Sequence, residues 1–171
     1  MRHVLAVALS VGLFALSSGA REQPVISASS EPTGLTVESQ KTGKKIIPGI
    51  DIYSDGTVAV RRYDGSEATK HIDPEALRRL AASLARTDFY KVTEDSFDAE
   101  LARAEKGGVT ERIVITDCPV WGLRTRVGGV THSTKFYALW QMAEHYPKNR
   151  QLKTLKDAIL QVYAAVGEKV Y

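Results

Sequence analysis

Between Ile50 and Val60 apolar and polar residues alternate with a period of two, and the stretch "IDIYSDGTVAV" carries a turn at its centre. A three-residue connection Ser54-Asp55-Gly56, with the glycine left-handed, pairs Ile52 with Val58 and Ile50 with Val60. All four aliphatics then share one face. A two-residue Asp55-Gly56 turn would pair Ile52 with Ala59 and divide the aliphatics between faces, so burial selects the longer turn. Asp51, Tyr53, Thr57 and Arg61 take the opposite face. A second alternating pair, "WGLRTRV" and "VTHSTKFY", flanks Gly128-Gly129, a dipeptide able to make a tight hairpin turn. Pairing Val127 with Val130 sets Thr125 opposite His132, Leu123 opposite Thr134 and Trp121 opposite Phe136. Arg124, Arg126, Thr131, Ser133 and Lys135 occupy the reverse face. Shorter strand patterns are "LTVES", which the turn "KTGK" follows, and "RIVIT" at 112–116. Pro48-Gly49 is expected to bend or bulge the strand it opens.

Helical periodicity replaces alternation in three or four places. In "DPEALRRLAASLAR" the stripe Leu77, Leu80, Ala81 and Leu84 has the i, i+3, i+4, i+7 spacing. Asp73 is placed to cap it, Pro74 suits its first turn and Glu75 favours the positive end of its dipole. Phe89 and Tyr90 follow as core anchors. "EDSFDAELARAEKGG" allows a short helix from Ser96 to Lys106, with Phe97, Leu101 and Ala104 inward and Gly107 as its stop; a charged insertion over 94–108 would read similarly. Near the end of the chain, Leu152, Leu155, Ile159, Val162 and Val166 form a long stripe between the cap Asn149 and the stop Gly167. A shorter helix from about Ala138 to His145 precedes it, with Leu139, Trp140 and Ala143 inward. The sum is an α+β fold: an antiparallel sheet of five or six strands with two or three helices packed on one face.

The first 20 residues have a different character. "MRHVLAVALSVGLFALSSGA" has a basic start, an apolar run from Val4 to Leu16, and Ser18 and Ala20 at the spacing of a signal-peptidase site. Cleavage is expected after Ala20, which gives an exported protein, periplasmic or extracellular. The apolar run is shorter than the roughly 20 residues of a spanning helix, and no second such run follows, so no transmembrane segment is expected after removal. Residues 21–34, "REQPVISASSEPTG", are rich in Ser, Pro and Gly without a sustained period and read as a flexible leader. Residues 35–171 read as a single domain, long enough to bury a core without disulfide staples.

The formal net charge of +3 falls to +2 once Arg2 leaves with the signal. So small an excess, with export, argues against nucleic acid as a partner. The one cysteine cannot form an internal bridge. It lies in "TDCPVWG", the connection into the second hairpin, where Pro119 cannot donate to a ladder.

The order "DIYSDGTVAV", helix, "DFY", Gly-turn hairpin and "LKTLKDAIL" resembles a family of small exported bacterial domains of unknown function. The resemblance covers most of residues 50–159 and implies export and an α+β fold, with no activity attached. In that family a Cys-Pro pair is expected just before the first hairpin. Here Pro48-Gly49 stands in that place and Cys118-Pro119 lies elsewhere.

Chemistry is sparse in the pattern. Histidines and the cysteine have neither the helical i, i+4 spacing nor the alternate-strand spacing of metal ligands, and no Gly-rich phosphate loop is present, so neither metal nor cofactor is expected. Glu94, Asp95, Asp98 and Glu100 lack the ordered loop of a calcium site and read as a solvated charge run. Two function classes remain. One is an exported, non-catalytic domain that binds a protein or an anionic cell-envelope component through Arg61, Arg124, Arg126 and Lys135. The other is a thiol-dependent or hydrolytic enzyme centred on Cys118 with His132, since a thiol nucleophile needs a base to activate it. His132, inward opposite Thr125, also suits a hydrogen-bonded core role, and Cys118 that of a structural thiol.

Overall fold

The computed structural model describes residues 23–31, 37–38, 45–106, 113 and 115–170. Among these, six strands form one antiparallel sheet: β1 (Ile26–Glu31), β4 (Gly49–Ile52), β5 (Thr57–Arg61), β6 (Glu67–His71), β7 (Val120–Val127) and β8 (Val130–Tyr137). Their order across the sheet is β6-β5-β4-β1-β7-β8. A small separate ribbon pairs β2 (Val37–Glu38) with β3 (Lys45–Ile46) and is inserted between β1 and β4. Four helices accompany the sheet: α1 (Pro74–Ala85), α2 (Glu94–Lys106), α3 (Leu139–His145) and α4 (Arg150–Ala165). The α+β class and the six-stranded sheet match the sequence pattern, with one helix beyond the expected two or three.

Both hairpins have the register that burial demands. Ile50 pairs with Val60 and Ile52 with Val58, and all four side chains are buried. The connection closes with the Tyr53 amide donating to the Thr57 carbonyl at 2.9 Å, and Gly56 has φ +85°. In the second hairpin Val127 pairs with Val130, Thr125 with His132, Leu123 with Thr134 and Trp121 with Phe136. Gly128 and Gly129 have φ of +58° and +80°, the left-handed pair that a two-residue turn between right-twisted strands requires.

Helix caps form where the sequence places them. The Asp73 carboxylate accepts from the Glu75 and Ala76 amides at 2.8 and 3.2 Å, and Asn149 Oδ1 accepts from the Leu152 amide at 2.9 Å. Gly167, at φ +66°, stops α4: its own amide donates to the Ala164 carbonyl and the Glu168 amide to that of Tyr163. Leu77, Leu80, Leu84, Phe97, Leu101, Leu139, Leu152, Leu155, Ile159 and Val162 join the inward residues of the sheet in one continuous core. Helices therefore cover one face of the sheet. Among the described residues no helix is long and apolar enough to cross a membrane.

Three expectations are corrected. Residues 26–31 are no flexible leader: β1 is an interior strand, paired with β4 on one side and with β7 along its whole length on the other. The ordered domain therefore starts well before residue 35. "VISASSE" hides its period because its inward side chains are Ile26, Ala28 and Ser30, only one of them large. "RIVIT" forms no strand at its described positions, Ile113, Ile115 and Thr116. β6 carries no apolar signal, because it is a sheet edge with Glu67, Thr69 and His71 exposed. α2 starts two residues before the expected Ser96. Residues 1–20, the "KTGK" turn and Gly107 lie outside the described residues.

Candidate functional site: a polar groove on the open sheet face

The sheet face without helices takes its side chains from the outward positions of five strands. Register aligns them in rows. One row reads Arg61, Gly49, Ser29, Gly122, Lys135 from β5 across β4, β1 and β7 to β8. The neighbouring row reads Ala59, Asp51, Ser27, Arg124, Ser133. In the first row three small residues lie between Arg61 and Lys135 at its ends; in the second, Asp51 and Arg124 stand on either side of Ser27. The result is a depression of about 590 Å³ whose lining includes Ser27, Ser29, Asp51, Arg61, Arg124 and Lys135.

The floor depends on two glycines in contact with Ser29. A Cβ on Gly49 would lie 2.4 Å from the Ala28 carbonyl oxygen and 3.0 Å from Ser29 Cα, so β4 could not approach β1 as it does. A Cβ on Gly122 would lie 2.9 Å from Ser29 Oγ and would occupy the depression itself. Along the β5 side, Asp51 accepts from Ser27 Oγ and pairs with Arg61 Nη1 at 2.7 Å, while Arg61 Nε donates to the Ile47 carbonyl at 2.9 Å. These contacts hold the guanidinium against the wall. Along the β8 side, Lys135 Nζ stands 3.4 Å from Glu31 Oε2, with the lysine two-thirds exposed. Arg124 is exposed and has no acidic partner among the described residues.

The structure thus gathers Arg61, Arg124 and Lys135 around one depression. Arg126 stands apart. It is half-buried, its Nη2 donates to the Gln23 carbonyl at 3.1 Å, and its amide donates to Val25, so it anchors the chain entering β1. Sequence reasoning missed Ser27, Ser29 and Asp51 as partners of the cations. The serines lay in a stretch read as leader, although the alternation of Ile26 and Ala28 with Ser27 and Ser29 was present.

Cys118 sits in a corner built by Tyr137. Asp117 turns left-handed at φ +58°, and the Cys118 amide donates to the Tyr137 hydroxyl at 3.3 Å. That hydroxyl donates in turn to the Ile115 carbonyl at 3.2 Å, and the Ala138 amide donates to the Pro119 carbonyl at 3.0 Å. Cys118 is buried where this loop enters β7. His132 lies towards the other end of the hairpin, five residues along β8 from Tyr137, a span of about 17 Å in an extended strand. Its ring stacks on Tyr90 with centroids 4.2 Å apart, and both line a pocket with Leu84, Phe89, Thr125 and Val130. Cys118 and His132 are not brought together. An imidazole at that distance cannot take the proton of the thiol.

Compared with known protein families, with curated proteins and with solved structures, the chain finds no match.

Proposed function

We propose that this chain is an exported, non-catalytic binding domain whose open sheet face takes up an anionic component of the cell envelope. The observation that supports this reading best is the convergence of Arg61, Arg124 and Lys135, from three different strands, on one depression with a hydroxyl-bearing floor. Cations spread over a solvated surface have no reason to share a concavity. Here two of them are oriented by carboxylates at the rim and the third stands open to solvent. Preorganised charge of this kind lowers the ordering cost of binding and steers an oppositely charged ligand. Export follows from the apolar leader, and the mature chain begins at Arg21.

The test is a double charge reversal, Arg124→Glu with Lys135→Glu, scored by retention of the protein on isolated envelope material across a salt series. Retention should fall for this variant and also with rising salt in the wild type, since exposed charges are screened beyond about 10 Å at 0.1 M. Arg78→Glu with Arg79→Glu alters net charge equally on the solvent side of α1 and should leave retention unchanged. Equal loss in both variants would reduce the effect to net charge and overturn the groove as its cause.

A further inference from the structure

The balance of charge and hydroxyl groups along the groove narrows its ligand, given the anion-binding reading above. Arg61 and Lys135 belong to one cross-strand row and are separated by four strand spacings, about 19 Å between their Cα positions. Arg124 lies one row away on β7. Among the described residues the ground between these cations is not cationic. It includes Ser27, Ser29, Gly49 and Gly122, with Ile47, Asp51 and Glu31 at its edges. A polymer with a charge on every unit would lay several anions over a neutral floor and against two carboxylates. Such a charge density is penalised there.

Two further classes fit poorly. Among the described residues no aromatic side chain lines the depression, so nucleic-acid bases would find no stacking platform. An extended peptide would bring backbone amides and carbonyls that need partners. β4, β1 and β7 are interior strands whose own backbone groups are committed to ladders on both sides. Sugar hydroxyls, which donate and accept, match the serine hydroxyls and the two carboxylates. We infer that the groove binds an acidic polysaccharide in which charged sugars are separated by neutral ones, with Arg61, Arg124 and Lys135 meeting the separated anions and Ser27, Ser29, Asp51 and Glu31 meeting the hydroxyls between them.

The decisive experiment measures binding of the intact folded protein to five soluble polymers of similar length by titration calorimetry. They are an alternating copolymer of a uronate and a neutral N-acetylated sugar, a polyuronate charged at every residue, a neutral glucan, inorganic polyphosphate and polyglutamate. The alternating copolymer should bind most tightly at equal concentration of anionic groups. Gly122→Val, which fills the floor and leaves every charge in place, should weaken it about tenfold or more. Ser29→Ala adds no atom to the fold and should weaken the alternating copolymer while leaving the weak binding of polyphosphate unchanged, a check that does not depend on how well the valine is accommodated. Tighter binding of polyphosphate, polyglutamate or the fully charged polyuronate would overturn the glycan assignment and leave the anion-binding groove standing. Tighter binding of the neutral glucan, or binding of none of the five, would overturn both.

Discussion

Ser29 lies in contact with two glycines whose tolerance of a side chain should differ sharply. Gly49→Ala sets a methyl group against the backbone of β1, which can yield only by shifting a central strand, and should cost about 2 kcal/mol or more. Gly122→Ala meets only Ser29 Oγ, which can rotate away, and should cost less than about 1 kcal/mol. Urea unfolding of the two variants measures the difference, and equal costs would contradict the close approach of β4 to β1. Cys118 behaves as a small residue at a corner. Its alkylation in the folded protein should lag far behind alkylation after denaturation, because burial denies the reagent access. Tyr137→Phe removes the hydroxyl that links Cys118 to Ile115 and should cost about 1 to 3 kcal/mol while speeding that alkylation. Unchanged labelling in Tyr137→Phe would show that the corner holds without the hydroxyl.

At the scale of elements, β1 is the decisive case. It supplies the strand between the two hairpins, with Ile26 and Ala28 buried and Ser30 hydrogen-bonded beneath the sheet to Tyr63. A chain truncated to start at Gln23 should unfold cooperatively like the full-length protein. One truncated to start after Glu31 leaves β4 and β7 as facing unpaired edges and should show no cooperative transition by circular dichroism. A dispensable leader would make the two indistinguishable. The hairpins were legible because each had an aliphatic face and a glycine turn, which leave one register that buries the aliphatics. β1 was not, since of its inward residues Ile26, Ala28 and Ser30 only the first is large, and Ala and Ser also mark loops. β6 was not, since an edge strand needs no apolar face.

At the scale of the molecule, the end of the chain is tied back to the sheet by charge. Glu168, just beyond α4, pairs with Arg62 at 2.6 Å and Lys70 at 2.7 Å, and Lys70 also donates to the Val166 carbonyl at 3.0 Å. Hydrogen bonds from Arg62 and then Lys70 hold the Glu168 carboxyl below its ordinary 4.5. A carboxyl pKa depressed in the folded state contributes stability that is present above 4.5 and is lost as pH falls through the lower folded value. Glu168→Gln should therefore be less stable than wild type at pH 7 and should flatten the acid limb of the stability profile. At the alkaline end, burial first and the neighbouring Tyr63 second push Tyr163 up to about 12. A raised phenol pKa contributes stability that is full below its ordinary 10.0 and declines as pH rises towards 12. Tyr163→Phe should remove much of that alkaline decline, followed by denaturant unfolding at successive pH values. An unchanged slope would place the alkaline transition on another group.

Local pattern alone determined the two hairpins and their registers, the caps of α1 and α4, the burial of the helical stripes, and the outward placement of Arg61, Arg124 and Lys135. Each of these depends on neighbours in sequence or on a single fold-back, where side-chain period and turn chemistry leave one answer. Which strand lies between the hairpins was decided only by tertiary structure, because a strand composed of Ile, Ala and Ser becomes favourable only when β4 and β7 stand on either side of it. That same placement put Ser27 and Ser29 between the cations and sent Arg126 to anchor the entry of β1. Sites made of residues from five strands depend on strand order, and strand order is a property of the assembled sheet.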